Sequence, residues 1–178
     1  MTTDYTRGEA DIIVDLIRQD NQRKPLTSAQ VTFGVPNVFI PRPNADRNTM
    51  VVVTARPNQT FEGSYDYYYN RRELGDFVDP RQPAFKTYVI DGETRLSELL
   101  PRINARMNIN LTVDKIFDAD IPDFDAIGSA GEDIELKVTS TSLVFLGSIM
   151  LHLKPEVAPL SSVIRIKRLT GLTYQAPA

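Results

Sequence analysis

The chain contains no cysteine, which excludes disulfides, thiol chemistry and any cysteine-based zinc site and fits manufacture in a reducing cytosol. It has a single histidine, His152, so a Ser-His-Asp triad could use no other imidazole. His152 sits mid-strand, opposite a run of aliphatic positions, which predicts a surface or interface residue instead. No apolar stretch approaches the ~20 residues a membrane helix needs. The longest candidate, "SLVFLGSIMLHLK", is too short. The first residues, "MTTDYTRGEADIIVDL", lack a basic segment followed by an apolar one, so no signal peptide is expected. The sequons at Asn58 and Asn110 then meet no glycosylation machinery. A basic excess is absent too: the net charge is −3, which argues against a nucleic-acid partner. There is no glycine-rich phosphate loop, no His/Glu zinc spacing and no G-x-S-x-G elbow. Nothing singles out a catalytic carboxylate pair, so we expect no enzyme, no cofactor and no metal.

What is present is enough apolar sequence for a core. A chain of 178 residues can bury roughly 70% of the surface its unfolded form exposes. "TRGE", Thr6 to Glu9, reads as a capping box. Ile12, Ile13, Leu16 and Ile17 follow at helical spacing and predict an amphipathic helix that ends before Pro25. "PRPNADRN", Pro41 to Asn48, is a polar loop. Met50–Thr54 and Phe61–Asn70 predict two strands joined by a turn at Pro57 and Asn58. Arg71 to Ala84 reads as an irregular connection. Phe85–Ile90 is a short strand ended by the turn pair Asp91-Gly92. Thr94 is the expected cap of a second helix, whose stripe Leu96, Leu99, Leu100, Ile103 and Met107 forms one apolar face. Pro101 should kink that helix or divide it. Thr112 is expected to cap one more helical turn. Glu132–Thr139 and Ser142–Lys154 read as a hairpin, and Ser162–Ile166 as a last strand.

The two halves resemble each other. "FEGSYDYYY" at Phe61 aligns with "FLGSIMLHL" at Phe145, an offset of 84; Val53-Thr54 aligns with Val138-Thr139 and "LTSAQV" at Leu26 with "LTVDKI" at Leu111, each an offset of 85. The expected fold class is α+β: two tandem pseudo-repeats, each an amphipathic helix followed by an antiparallel β-hairpin. The expected units are residues 1–90 and 91–154, with 155–178 as a docking extension. Tyr65, Tyr67 and Tyr69 take the places of Ile149, Leu151 and Leu153. Strand period is two, so they share one face, and their rings are expected to cover the core with hydroxyls at the rim. Tyr68 points the other way.

The acidic run Asp118, Asp120, Asp123 and Asp125 lacks the glycine and glutamate of an EF-hand loop and reads as a solvated loop. The basic run Arg165, Lys167 and Arg168 reads as a charged strand edge that could meet an acidic partner.

"YNRREL" at Tyr69, "INARMNINLTVDKI" at Ile103, "VTFGVP" at Val31 and the closing "GSIMLHL" together resemble a family of virion structural proteins from tailed bacteriophages, mostly large ones. "IRQDNQRK" at Ile17 departs from that pattern. The resemblance implies a particle component (head decoration, neck or tail accessory subunit) in the virion, made in the bacterial host cytoplasm. It implies no reaction and no active-site residues. Its partners would be other virion proteins and further copies of itself, as a homo-oligomer, without nucleic acid or membrane. The interface candidates are Tyr68, Arg165, Lys167, Arg168, Leu172 and Tyr174. The alternative is a carbohydrate- or peptide-binding adaptor of a fibre, carried by Tyr68 and the loop Pro41–Asn48.

Overall fold

A computed structural model describes residues 3–21, 26–38, 46–123 and 130–156. The expected strand Ser162–Ile166, the candidates Arg165, Lys167, Arg168, Leu172 and Tyr174, most of the loop Pro41–Asn48, and Asp125 lie outside the described residues. The chain is α+β. Helix α1 spans Glu9–Asn21 and α2 spans Leu100–Met107. The strands are β1 Val31–Phe33, β2 Asn37–Val38, β3 Thr49–Ala55, β4 Ser64–Tyr69, β5 Arg72–Glu73, β6 Thr87–Ile90, β7 Glu132–Lys137, β8 Phe145–Leu146 and β9 Ser148–Pro155.

The α1 start differs from the expected capping box. The Thr6 N–H and hydroxyl both donate to Asp4 Oδ1, at 3.0 and 2.7 Å, and the first helical N–H groups, of Asp11 and Ile12, donate to the Gly8 carbonyl. Glu9 does not turn back to Thr6. Its carboxylate is buried and accepts from the Ser142 hydroxyl at 2.5 Å and the Leu143 N–H at 2.7 Å. Inside the protein, two charge-assisted bonds outweigh one solvent-exposed cap.

The second helix is divided as its proline requires. A 3₁₀ turn over Leu96–Leu99 runs into α2, and Pro101 sits in the first turn of α2, where a missing N–H leaves no bond unmade. All five stripe residues, Leu96, Leu99, Leu100, Ile103 and Met107, are buried. Thr94 does not cap with its side chain. Instead the Glu98 carboxylate accepts from the Thr94 N–H at 2.6 Å and the Arg95 N–H at 3.2 Å. α2 ends at Asn108 in a left-handed conformation.

β1 and β2 pair in succession along one edge of β3, and β4 pairs antiparallel along the other. In a second sheet β9 is central, with β7 antiparallel on one side and β6 parallel on the other. β5 and β8 form a short parallel pair between the two sheets, with Arg72 opposite Phe145.

The two hairpins carry matching hydrogen bonds. Val31 pairs with Ala55, the Arg56 N–H donates to the Gln30 carbonyl, and the Ala55 N–H donates to Gly63. Ile116 pairs with Val138, the Thr139 N–H donates to Lys115, and the Val138 N–H donates to Gly147. Each begins on a Leu-Thr 3₁₀ turn, over Ser28–Gln30 and Val113–Lys115. The expected alignment of Val53-Thr54 with Val138-Thr139 is displaced by two residues, since Ala55 holds the position of Val138. The loops between the paired segments differ in length, which a constant offset could not follow.

The core runs from Ile13 and Leu74 through Phe145 to Tyr88, Ile90, Leu99, Ile103, Leu136, Leu151 and Leu153. A polar seam crosses it beside Glu9. Arg71 is buried; its Nε donates to Thr49 Oγ1 and its Nη1 to the Ser142 carbonyl, both at 3.1 Å. The Tyr69 hydroxyl donates to the Leu143 carbonyl at 2.6 Å, and Ser142 Oγ accepts from the Phe145 N–H. Among the described residues, every buried side-chain polar atom has a partner, as burial demands.

Candidate interaction surface

The tyrosines of β4 form a gradient rather than a uniform inner face. Tyr69 is 4% exposed, Tyr67 is half-buried, and Tyr65 is 78% exposed. The expectation that all three cover the core is therefore corrected for Tyr65. The reason lies in α1. Its last turn reaches Tyr67, whose hydroxyl donates to Asp20 Oδ2 at 2.7 Å, and Tyr65 lies two residues further along the strand. The Tyr67 and Tyr69 rings stack with centroids 5.9 Å apart. By contrast, Ile149, Leu151 and Leu153 on β9 are all buried. Tyr68 faces the opposite way, as expected, and is 42% exposed.

Burial pushes both the Tyr67 and Tyr69 hydroxyls up from the usual phenol value, and the Asp20 carboxylate adds to the effect at Tyr67. Both stay protonated at neutral pH and act as donors.

Between α1 and β4 lies a cleft of about 270 Å³. Ile13 and Leu16 form its helical wall, Tyr67 and Tyr68 its strand wall, and Asp20 and Arg47 its polar rim. The cleft lies along the outer edge of β4. Among the described residues no strand pairs with that edge. In the ladder with β3, Gly63, Tyr65, Tyr67 and Tyr69 turn their backbone groups toward β3, so those of Ser64 and Asp66 turn outward. Such an edge is a template for another strand.

A model for a family of unknown function matches residues 3–178. The chain belongs to this family, DUF7941. No curated protein and no solved structure matches.

The other candidates in this DUF7941 member are tied into local structure. His152 Nδ1 lies 2.7 Å from Asp133 Oδ1 across the β7–β9 ladder. Asp118 accepts from Arg95 Nε at 2.7 Å and from the N–H and hydroxyl of Ser97. Partial burial pushes its carboxyl upward, but these bonds outweigh it and hold the group below the usual carboxylate value. Arg95 also reaches Asp120 at 3.4 Å. These aspartates serve as ion-pair partners, and among the described residues no group of three or more carboxylate or imidazole side chains is placed to hold a metal.

Sequence reading missed the Glu9–Ser142–Arg71 seam. Arg71 and Arg72 look alike in "NRREL", and nothing local distinguishes the buried one from the exposed one.

Proposed function

We propose that the protein is a structural subunit of a tailed-phage particle, a head decoration, neck or tail accessory component that works through interfaces with its own copies and with other particle proteins. The observation that carries this reading is the outer edge of β4, which no strand among the described residues pairs, beside a cleft walled by tyrosines and aliphatic side chains. The motif resemblance around Tyr69, Ile103 and Val31 supports it. A stable contact of this kind covers about 800 Å² per partner, far more than the cleft itself, so neighbouring surface would take part. We also read the chain as two tandem units, residues 1–90 and 91–154, followed by a docking extension, 155–178. The matching bonds at Ala55/Gly63 and Val138/Gly147 support that reading.

Mass spectrometry of purified particles tests the assignment. The protein should be present at a fixed stoichiometry; its absence from particles overturns the reading. Removing Gly171–Ala178 should leave folding intact and lower occupancy, and full occupancy would refute the docking role of the extension.

One observation favours a second reading, a carbohydrate- or peptide-binding adaptor. Tyr67 and Tyr68 stand beside Asp20, Arg47 and Asn70, which combines ring faces with hydrogen-bonding groups. Specific, saturable signal on a glycan array, lost in Tyr68→Ala, would support the adaptor against the subunit.

A further inference from the structure

We propose that the cleft between α1 and β4 captures the carboxyl end of a partner protein, seating its last, apolar side chain between Leu16 and Tyr67 and its carboxylate on Arg47. The proposal rests on the peptide-binding reading above and narrows it to one ligand chemistry.

Most polar groups around the cleft are already engaged. The Tyr69 hydroxyl donates to the Leu143 carbonyl and the Tyr67 hydroxyl to Asp20 Oδ2. Asn70 accepts from the Asn48 N–H at 2.8 Å and donates to the Asp46 carbonyl at 2.7 Å. Arg72 pairs with Asp76 at 3.1 Å. Few groups are left to read the hydroxyls of a neutral sugar.

What remains is one cation and one carboxylate oxygen. Arg47 lines the cleft and is exposed. Among the described residues it has no hydrogen-bond or ion-pair partner. Asp20 commits Oδ2 to Tyr67 and keeps Oδ1 for a donor. Burial dominates the upward shift of the Tyr67 hydroxyl, but Asp20 adds to it and Arg47 opposes it, so both charges lie near that hydroxyl. They flank one point on the rim without pairing to each other.

The floor below that point is apolar. Ile13, Leu16 and Val144 line it, with Tyr67 on the other side. At about 270 Å³ the cleft falls below the roughly 300–1,000 Å³ that hold drug-sized ligands, so it suits one side chain rather than an extended molecule.

The last residue of a polypeptide matches this set. Its side chain fills the floor, and its amide N–H can donate to Asp20. Its carboxylate suits a guanidinium, which holds both oxygens through paired N–H donors. An internal apolar residue has no charge to offer Arg47. Asp20, Arg47 and Asn70 are all exposed, so the cleft is open at its rim and the rest of the partner chain leaves there.

NMR titration of the isotope-labelled full-length protein with acetyl-Gly-Gly-Leu tests this. The peptide acid should bind saturably and shift the amide signals of Leu16 and Tyr67. The same peptide as its carboxamide should bind at least about tenfold more weakly, as expected when a charge-assisted bond is lost. Acetyl-Gly-Gly-Gly should be weaker by a similar factor, since it buries no leucine side chain. Arg47→Gln alters an exposed residue, so circular dichroism should be unchanged while the preference for acid over amide disappears. Equal binding of acid and amide, or a preference that survives Arg47→Gln, overturns the proposal and leaves the adaptor reading standing. Free leucine binding as tightly as the peptide also overturns it, because the site then reads an amino acid and not a chain end. If none of the peptides binds, the proposal fails as well, and the glycan array decides the adaptor reading separately.

Discussion

β4 and β9 each follow a glycine at positive φ and pair with an antiparallel strand, yet one carries tyrosines graded from buried to exposed and the other an aliphatic row that is buried throughout. The difference follows from what covers them. β9 is central, with strands on both edges, so every inward residue needs to be apolar. β4 has a partner on one edge among the described residues and a helix that reaches only as far as Tyr67. Tyrosine suits that half-covered position, since its ring packs and its hydroxyl finds Asp20 or the Leu143 carbonyl. One backbone pattern thus serves as core in one place and as border in the other.

The comparison can be broken most forcefully at corresponding residues. Ile149→Ala, at a buried position, should cost about 2–5 kcal/mol in urea unfolding, whereas Tyr65→Ala should stay within about 0.5 kcal/mol. Equal costs would mean that Tyr65 is covered in solution.

The seam comes next. Glu9→Ala strands the Ser142 and Leu143 donors and should cost about 1–3 kcal/mol. Glu9 also has a pH signature. Burial raises its carboxyl above the ordinary 4.5, despite the bonds from Ser142 and Leu143 that pull it down. A raised folded value means that its contribution is fully present below the unfolded value and is withdrawn as pH climbs through the folded one. The stability of the parent relative to Glu9→Gln should therefore grow on acidification, measured by paired urea melts at acid and neutral pH. A difference that shrinks in acid would reverse the assignment.

The two glycines sharpen the comparison further. Gly63 has φ +87° and Gly147 has φ +82°, so alanine at either should cost about 1–2 kcal/mol. Space around Gly63 is open, while a Cβ at Gly147 would strike the Glu73 carboxylate. Because the exposed Glu73 side chain can swing aside, the two alanines should cost about the same, and a much larger cost at Gly147→Ala that Glu73→Ala relieves would show that Glu73 is held in place.

A smaller effect than at the glycines is expected from Tyr67→Phe, which removes the bond to Asp20 and should cost about 0.5–1.5 kcal/mol. No change in thermal unfolding would show that this hydroxyl is satisfied by water.

The elements with a strong period were legible in the sequence. The Leu96–Met107 stripe, the Glu132–Lys154 hairpin and the Leu-Thr turns follow from local pattern, and they form where that pattern puts them. What the sequence hid was decided by distant partners. Thr6 had good local chemistry for a cap, but Glu9 was drawn away by Ser142. Tyr65 had the right parity for the core, but parity does not report how far a helix extends. The cleft was invisible for the same reason: it is bounded by a helix far away in sequence, and nothing along β4 itself records how close that helix lies.

The bond from Ser142 to Glu9 joins residues 133 positions apart. During synthesis the first helix leaves the ribosome long before the turn that will receive its carboxylate exists. Until then Glu9 keeps its hydration, and α1 has no reason to settle. The amino-terminal half must wait for the carboxy-terminal half, so folding closes late and all at once, and a nascent chain stalled near residue 120 should still be open to proteases along its first helix.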